Sequence, residues 1–221
     1  MSLDHATAAT AIVRLGRRVA GADLVVGAGG NISARIGADE ILVTPSGWAL
    51  DEVGEGDLVV LGLDGEVRAG TAKPSSEANT HLAAHRARPD VTIALHLHPP
   101  HANLLTATGH GIRLITLDHA YYVRRWATVP YLPSGTEELA DAVAGALGDA
   151  DVVLMAHHGC LVVGGDAEVA FERAANLEAA ATATFRALLL GDTTTVCPPE
   201  YLERMQSLEA EAGGPVYGKG V

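Results

Sequence analysis

Histidine is the residue type with the most chemical potential in this sequence, and two of the ten histidines stand together as His96-Leu97-His98. They end an apolar run, residues 91–97, of the kind typical of a strand covered on both faces. Side chains at positions i and i+2 of a strand point to the same side, so the two imidazoles can share a cation. A pair of ordinary strand histidines is the alternative. The position at a strand end favours a metal site, because active sites collect there in α/β folds.

A second apolar run, residues 151–156, is followed by His157-His158-Gly159. If the two runs are neighbouring strands, a third imidazole meets the first pair. Three histidines with open coordination positions are typical of a catalytic rather than a structural metal site. The spacing does not decide which of the two histidines binds, and the other is then an ordinary loop residue.

Residues 73–77, Lys-Pro-Ser-Ser-Glu, lie at the start of a helix predicted over residues 76–88. Hydroxyls and unpaired N–H groups at a helix start form an anion pocket, and Glu77 falls in the first turn. On these residues alone, ordinary helix capping is the favoured explanation. Glu77, His81 and His85 are spaced by four and share one helical face, so Glu77 and His81 could bind a metal together. Core or supporting roles are the favoured interpretation for His81 and His85.

Two glycine-containing segments are further candidates for an anion site. The first is the turn Gly29-Gly30-Asn31, followed by Ser33, and the second is Thr44-Pro45-Ser46-Gly47. Glycine lets backbone N–H groups converge on an anion. Each segment alone is a weak signal, because most glycine-rich turns are only turns, and neither matches the P-loop or the dinucleotide fingerprint.

Periodicity and turn signals predict the elements that must position these residues. Helices are predicted over residues 3–22, 76–88, 101–107, 136–147, 167–190 and about 199–212, and strands over 31–36, 40–44, 58–63, 66–69, 91–97, 128–132, 151–156 and 161–163. Hairpins come early and helix-flanked buried strands come later. This order predicts a single α/β domain over residues 1–221, with a mixed or largely antiparallel central sheet covered by helices on both faces and a flexible tail.

Composition limits the classes of function. The chain has 221 residues, a formal net charge of −12 and no basic cluster, which argues against a nucleic-acid partner. An acidic surface also repels a phosphorylated substrate at long range, so a phosphate site must attract through local N–H groups. Two cysteines, no signal-peptide pattern and no apolar run of about 18 residues predict a cytoplasmic protein without a membrane segment.

Five short segments occur in a distinctive order: Gly-Asn-x-Ser, Thr-Pro-Ser-Gly, Pro-Ser-Ser-Glu, His-x-His-Pro and His-Gly. In this order they resemble the class II aldolase/adducin family, over residues 10–190 or so. The resemblance implies a three-layer α/β/α fold and a homotetramer with sites at subunit interfaces. It also implies a zinc-dependent aldolase, with Mn²⁺ or Co²⁺ as alternative cations. Such enzymes cleave a ketose 1-phosphate, such as L-fuculose 1-phosphate, into dihydroxyacetone phosphate and an aldehyde through a metal-stabilised enediolate.

Carried over residue by residue, the resemblance makes His96, His98 and His158 the metal ligands. The third ligand is the histidine directly before the glycine. Glu77 matches the family's acid–base carboxylate, which also ligates the metal when substrate is absent. The phosphate-binding positions of the family match a set of small and polar residues, namely Gly30, Asn31, Ser46, Gly47, Ser75 and Ser76.

One departure concerns the proton donor for the aldehyde half of the substrate. In the aldolases of the family, a tyrosine from a neighbouring subunit serves this purpose, in the segment after the His-x-His helix. Here that segment, residues 117–125, aligns only with a gap. Tyr121 and Tyr122 are the candidates, and His119 could do the same work.

Other functions stay open on the same scaffold. A phosphosugar dehydratase, a decarboxylase or a 4-epimerase of pentulose phosphates is the enzymatic alternative, although the epimerases carry Asp where this chain has Glu77. A non-catalytic adducin-type interaction module is the alternative of a different class. Such modules tend to lose the metal ligands, whereas this chain keeps the three histidines and Glu77, and the sequence therefore favours an enzyme.

Overall fold

A computed structural model of the protein describes residues 2–212. The helices are α1 (His5–Gly21), α2 (Ala78–Ala87), α3 (Pro100–Ala107), α4 (Leu117–Tyr122), α5 (Glu137–Ala146), α6 (Ala167–Leu189) and α7 (Pro199–Ala212). The strands are β1 (Asn31–Arg35), β2 (Glu40–Val43), β3 (Val59–Gly62), β4 (Val67–Ala69), β5 (Ile93–Leu97), β6 (Trp126–Val129), β7 (Val152–Met155) and β8 (Gly159–Gly164). The predicted flexible tail lies outside the described residues.

All eight strands form one sheet in the order β4-β3-β2-β1-β5-β8-β7-β6. Every neighbouring pair is antiparallel except β6 and β7, which are parallel. The predicted mixed, largely antiparallel sheet is therefore confirmed. Strand β5 lies near the middle, where its register places His96 opposite Asn31 of β1 and opposite Leu161 of β8.

Strand β7 does not run beside β5, contrary to the arrangement that the sequence suggested. Strand β8 lies between them and pairs antiparallel with both. Because β8 runs antiparallel to β5, it begins where β5 ends. The tight turn from β7 into β8 therefore carries His157 and His158 to the end of β5, and the three histidines meet by a different route from the one expected.

Apolar side chains alternate between the two faces of the sheet and produce a core on each side. On β5, Ile93, Leu95 and Leu97 join the larger core, which also contains residues of α1, α3 and α6. Ala94 faces the opposite core beside residues of α5, and alternation places His96 on that same face. Helices α2 and α5 pack together on this second side. The architecture has the three α/β/α layers that the resemblance implied.

Local signals explain the helix boundaries that matter for the site. Asp4, Thr136 and Asp166 act as N-caps of α1, α5 and α6, each accepting a hydrogen bond from a backbone N–H three residues later. Helix α2 begins at Ala78, two residues later than predicted, so Glu77 precedes the helix instead of lying in its first turn. Within the described residues, none of the helices has the length and apolar character needed to cross a membrane.

Candidate metal centre

Three histidine side chains converge at the end of β5. The nitrogen atoms of His96, His98 and His158 that could bind a metal all lie within 4.8 Å of one another. Ring centroids are 4.8 Å apart for His96 and His98, and 4.9 Å apart for His96 and His158. His98 directly follows β5, and His158 comes from the turn between β7 and β8. The structure thus brings together the three residues that the resemblance selected as ligands.

The turn between β7 and β8 separates the two adjacent histidines. His158 reaches the pair on β5, and its N–H closes the turn by donating to the carbonyl of Met155 at 3.1 Å. His157 is exposed and has φ of 61°, in the left-handed region that few non-glycine residues adopt. The sequence left open which histidine joins the pair, and the geometry brings His158 there; its binding of a metal stays a prediction.

Gly159 allows the third histidine to approach the other two. A Cβ atom at this position would lie 2.5 Å from the carbonyl oxygen of Leu97, 2.6 Å from Cδ2 of His98 and 3.2 Å from Cε1 of His96. These distances are shorter than van der Waals contact. The glycine of the His-Gly pair is therefore required by the close packing of β8 against the two histidine rings at the end of β5.

The ring of His96 is oriented by a backbone hydrogen bond. Its Nδ1 lies 3.0 Å from the carbonyl oxygen of Cys160 and must carry the proton, because a carbonyl can only accept. The Nε2 atom then faces the centre of the cluster, 2.9 Å from Nε2 of His98. A ligating histidine with one nitrogen held by a carbonyl is the usual arrangement at protein metal sites.

Glu77 places a carboxylate against two of the three imidazoles. Its Oε2 lies 2.6 Å from Nε2 of His96, and its Oε1 lies 3.0 Å from Nε2 of His158. The hydroxyl of Ser134 also donates to Oε1. Glu77 occupies the N-cap position of α2, but its side chain makes no capping hydrogen bond. The capping explanation that the sequence favoured is therefore wrong for Glu77, whose carboxylate turns into the histidine cluster.

Electrostatics of the cluster match a bound cation. Burial, together with the neighbouring His96 and His158, lowers the pKa of His98 to about 4, so this ring is neutral at pH 7 and its lone pair is available. Burial alone would raise the pKa of Glu77, but hydrogen bonds with His158, His96 and Ser134 outweigh it and hold that pKa well below its ordinary value. Three imidazoles and one ionised carboxylate are a donor set that fits a divalent cation such as Zn²⁺.

His81 and His85 take no part in this cluster. Both are buried, and both contact the hydroxyl of Ser33, while His81 also contacts the side-chain oxygen of Asn31. Burial is the largest cause that lowers the pKa of each ring to about 3. They are supporting groups beneath β1, as the sequence suggested, although nothing in the sequence indicated Ser33 as their shared partner.

The candidate phosphate segments 44–47 and 73–76 lie side by side. Pro45 and Pro74 form an isolated antiparallel bridge. The N–H of Ser46 donates to the carbonyl of Lys73 at 2.9 Å, and the N–H of Ser75 donates to the carbonyl of Thr44 at 3.1 Å. These two backbone N–H groups are therefore occupied, contrary to the expectation of unpaired donors. The hydroxyls of both serines stay candidates for phosphate binding.

The remaining phosphate candidates are two glycines in turns, the exposed Ser76 and the buried Asn31. Gly30 and Gly47 have φ of 82° and 80°, which explains glycine at both positions. At Gly30 a Cβ would also lie 2.9 Å from the carbonyl oxygen of His96. Ser76 is exposed beside the buried Ser75, and Asn31 is buried at the start of β1. The structure gathers these segments around β1 and the start of α2.

The candidate proton donors lie on helix α4, which packs against α6. The rings of Tyr121 and Tyr122 contact each other with centroids 4.8 Å apart, and the backbone carbonyl of Tyr122 accepts from Arg173. His119 is engaged in a reciprocal cap with Thr116 at the start of α4. Because the resemblance assigns the proton donor to a neighbouring subunit, the role of the tyrosines stays a prediction.

The contact of Ser134 with Glu77 is one that the sequence did not predict. Ser134 lies in the loop before α5. Gly135 has φ of 75°, and a Cβ there would lie 2.9 Å from the carbonyl oxygen of Ser76. This close approach docks the loop onto the segment that carries Glu77. A Ser-Gly pair before a helix gives no signal of so distant a partner.

Comparisons with known proteins agree with this geometry. The family described as Class II Aldolase and Adducin N-terminal domain matches residues 10–185. The 5-deoxy-D-ribulose 1-phosphate aldolase of Bacillus thuringiensis serovar kurstaki is 31% identical over 195 residues, covering 88% of this chain and 91% of the relative. The L-fuculose phosphate aldolase of Methanocaldococcus jannaschii is 33% identical over 178 residues, covering 80% and 96%.

A third relative carries a different activity in its name. The 3-oxo-tetronate 4-phosphate decarboxylase of Haemophilus influenzae is 30% identical over 179 residues, covering 79% of this chain and 85% of the relative. The solved structure of an L-fuculose 1-phosphate aldolase superposes with a TM-score of 0.83 at 28% identity, covering 91% and 95% of the two chains. The chain therefore belongs to the class II aldolase/adducin family, close to its L-fuculose phosphate aldolases, and is an aldolase-type lyase.

Proposed function

We propose that this protein is a divalent-metal-dependent aldolase that cleaves a ketose 1-phosphate of the L-fuculose 1-phosphate type into dihydroxyacetone phosphate and an aldehyde. The observation that carries the proposal is the convergence of three histidines and Glu77 at one point at the end of β5. Two relatives named as aldolases of 1-phosphorylated or fuculose phosphate sugars support the substrate class.

The chemistry divides between the cation and the chain. His96, His98 and His158 would hold a divalent cation, which when bound would supply Lewis-acid polarisation of the substrate ketone. Glu77 moves the proton at the carbon next to the ketone, where its buried carboxylate is within reach of the same centre. The hydroxyl of Ser134, which donates to Oε1 of Glu77, orients that carboxylate. Carbon–carbon cleavage needs both the polarised oxygen and the placed base.

Phosphate binding falls to the neutral donors around β1 and α2. The proposed set is Gly30, Asn31, Ser46, Gly47, Ser75 and Ser76. Ser75 is buried and its Oγ accepts the N–H of Glu77 at 3.2 Å, which leaves its proton to be donated. Replacing both Ser75 and Ser76 by Ala is expected to raise the Michaelis constant for a phosphorylated ketose far more than for the unphosphorylated sugar. Equal effects on both sugars would remove these serines from phosphate binding.

Several finer features belong to the same proposal. Zn²⁺ is the proposed cation, with Mn²⁺ or Co²⁺ as alternatives, because imidazole with carboxylate suits all three. We also propose that the protein is cytoplasmic and that its chain is a single domain. We further propose a homotetramer with sites at subunit interfaces, in which Tyr121 or Tyr122 of a neighbouring subunit protonates the leaving aldehyde.

A decarboxylase is the second candidate, because one relative of similar identity is named as a decarboxylase of a phosphorylated keto acid. The same cation and the same phosphate site would serve both reactions. A dehydratase or a 4-epimerase on the same scaffold stays a further alternative. The non-catalytic module is disfavoured because the chain keeps Glu77 and all three histidines.

Proton exchange without an aldehyde tests the proposal directly. Purified protein is first analysed for bound metal, and dihydroxyacetone phosphate is then followed by NMR in deuterium oxide. An aldolase should exchange one proton of this compound stereospecifically, and a chelator should stop the exchange. A metal-loaded protein that exchanges none contradicts the aldolase assignment. A decarboxylase that forms the same enediolate would also exchange this proton, so release of carbon dioxide from a phosphorylated 3-oxo acid distinguishes the second candidate. A product screen with ketose 1-phosphates then identifies the aldehyde.

A further inference from the structure

A line of buried polar side chains leads from helix α2 to the start of β1. Ser33 Oγ lies 2.9 Å from His85 Nε2 and 2.7 Å from His81 Nδ1, and His81 Nε2 lies 2.6 Å from Asn31 Oδ1. All four residues are buried. The side chains of His85, Ser33 and His81 do not contact the metal-binding nitrogens through these bonds, while the backbone N–H of His81 donates to the carbonyl of Glu77 at 3.4 Å. The hydrogen bonds within this line offset the cost of burying its polar groups, and they also fix how each side chain is oriented.

The direction of the hydrogen bonds along this line follows from the amide of Asn31. Its Oδ1 faces Nε2 of His81 at 2.6 Å, and an amide oxygen can only accept, so Nε2 of His81 carries the proton. At the other end of the line, Nδ1 of His85 is buried and forms no hydrogen bond of good geometry within the described residues, which agrees with a ring nitrogen that carries no proton. The nearby carbonyl of Val91 opposes the lowering of the His85 pKa and also accepts from Arg35 Nε at 3.2 Å.

Each proton along the line is then assigned in turn. The proton of the neutral His85 ring is on Nε2 and is donated to Ser33 Oγ. The hydroxyl of Ser33 therefore donates to Nδ1 of His81, and the proton of His81 is on Nε2, from which it is donated to Asn31 Oδ1. Both rings are neutral at pH 7, because burial lowers the pKa of each to about 3.

The end of the line fixes the side-chain amide of Asn31. With Oδ1 held by His81, the two protons of Nδ2 lie on the other side of the planar amide. Asn31 directly follows the turn at Gly30 and lies opposite His96 in the register of β1 and β5. The amide therefore offers donors, and no acceptor, to a group bound beside the histidine cluster. An anionic oxygen is the ligand that such an amide selects.

We propose that His85, Ser33 and His81 are positioning residues that lock Asn31 with its Nδ2 donors turned toward the phosphate group of the substrate. This inference rests on the proposed function for its ligand. The amide of an unsupported asparagine rotates easily and can present either oxygen or nitrogen. A fixed amide discriminates in favour of anions and against cations or hydroxyl donors at this position.

The proton assignment is tested without any ligand or activity. Long-range ¹H–¹⁵N correlation NMR of the full chain, labelled in histidine, reports which ring nitrogen carries the proton. We expect the Nε2–H form for both His81 and His85, with neither ring protonated twice between pH 6 and 8. The Nδ1–H form of His81 would overturn the proposed orientation of Asn31, because its Nε2 could then only accept.

Ligand affinity tests whether the orientation of Asn31 contributes to phosphate binding. Dihydroxyacetone phosphate and inorganic phosphate are titrated by calorimetry into metal-loaded wild type, Asn31→Asp, His81→Leu and His81→Gln. Asn31→Asp keeps the oxygen that His81 contacts but removes the donors, and should weaken binding the most. His81→Leu should weaken it roughly 10- to 100-fold, about the value of one hydrogen bond to a charged group. His81→Gln should restore much of the affinity, because its amide can donate where Nε2 did.

The controls separate a failed inference from a failed function. If Asn31→Asp weakens binding while folded His81→Leu binds as tightly as wild type, the positioning role is wrong and the phosphate site stands. If the wild type binds neither ligand, the proposed function fails, and the NMR assignment still decides the orientation of Asn31. His85→Leu, at the far end of the line, keeps the bond from Ser33 to His81 and should weaken binding less than His81→Leu. A larger effect at His85 would contradict the assigned direction.

Discussion

Strand β7 has a cluster around a buried carboxylate near each end. The two clusters differ in the partners that can neutralise the carboxylate charge. At its start, Asp151 is 3% exposed and contacts three arginines. Arg88 lies 3.2 Å from its Oδ1, while Arg125 and Arg173 lie 3.1 Å and 3.2 Å from its Oδ2. Guanidinium groups stay charged at every physiological pH, so the carboxylate has permanent cationic partners.

The second cluster lies near the end of β7, where His158 follows the strand. Its carboxylate is that of Glu77, which is 5% exposed. Its partners among the described residues are His96, His158 and Ser134, and none of these contacts is with an Arg or Lys. Imidazoles lose their charge near neutral pH, so they cannot hold a permanent countercharge there. A buried charge without a partner is costly, and a divalent cation would supply the missing charge.

The difference in partners indicates a structural role for the Asp151 cluster and a functional role for the Glu77 cluster. The arginines around Asp151 join β6, β7, α2 and α6, and a cluster that carries its own countercharge needs nothing from solution. The Glu77 cluster lacks a permanent positive charge, and a bound divalent cation would supply it. Two buried carboxylates of similar exposure are therefore expected to respond in opposite ways to mutation and to metal.

The largest expected effect is at a histidine of the Glu77 cluster. His98→Ala removes one of three imidazoles, and we expect it to lose stoichiometric metal and all measurable turnover. In the wild type, a free metal concentration a thousand times the Kd should add about 4 kcal/mol to the free energy of unfolding. Thermal unfolding with and without a chelator should show this gain in the wild type and not in His98→Ala. A variant that retains stoichiometric metal would falsify the ligand assignment.

The Asp151 cluster should respond through stability alone. Asp151→Asn leaves three guanidinium groups without their shared carboxylate, and we expect a loss of about 3–5 kcal/mol in the free energy of unfolding. Metal content and turnover of the folded fraction should stay close to wild type. Denaturant unfolding and metal analysis of the same preparation check both halves. A loss of metal from folded Asp151→Asn would mean that the two ends of β7 are coupled.

Glu77→Gln is the matched change at the Glu77 cluster. Glutamine keeps the size of the side chain but cannot accept the proton, so turnover should fall at least about a hundredfold if Glu77 is the base. Without metal, the same variant should lose much less stability than Asp151→Asn, because no permanent cation is left unpaired. Exchange of the dihydroxyacetone phosphate proton isolates this step. Exchange at the wild-type rate would exclude Glu77 as the base.

The sequence predicted the layers, the mixed sheet and the family because these depend on local patterns. Apolar runs and turn residues identified β5 and β7, and the ordered motifs identified His96 and His98. What it did not predict depends on long-range packing. The insertion of β8 between β5 and β7 is a pairing choice that periodicity does not encode. The contact of Ser134 with Glu77 joins residues 57 positions apart and depends on how α5 packs against α2.

Glu77 illustrates the limit most clearly. The pattern Ser-Ser-Glu before a helix is typical of capping, and local reasoning favoured that explanation. Glu77 does occupy the N-cap position of α2, yet its side chain makes no capping hydrogen bond and contacts His96 and His158 instead. The predicted boundary differs by only two residues, within the usual disagreement about helix ends, so long-range contacts and not the boundary decide the role of this residue.

The smallest expected effect is at His157. It tests whether His157 only supports the turn while His158 binds the metal. His157 is exposed and holds the left-handed conformation of the turn, which costs a non-glycine residue about 1–2 kcal/mol. Glycine adopts it freely but loses about 0.5–1 kcal/mol of backbone entropy on folding. His157→Gly should therefore raise the free energy of unfolding by about 0.5–1 kcal/mol, and His157→Val should lower it. Both variants should keep their metal, whereas His158→Ala should lose it, as judged by metal analysis and thermal unfolding of the three proteins side by side. If His157→Gly is the variant that loses metal, the turn presents the wrong histidine to β5, and the cluster must be rebuilt around His157.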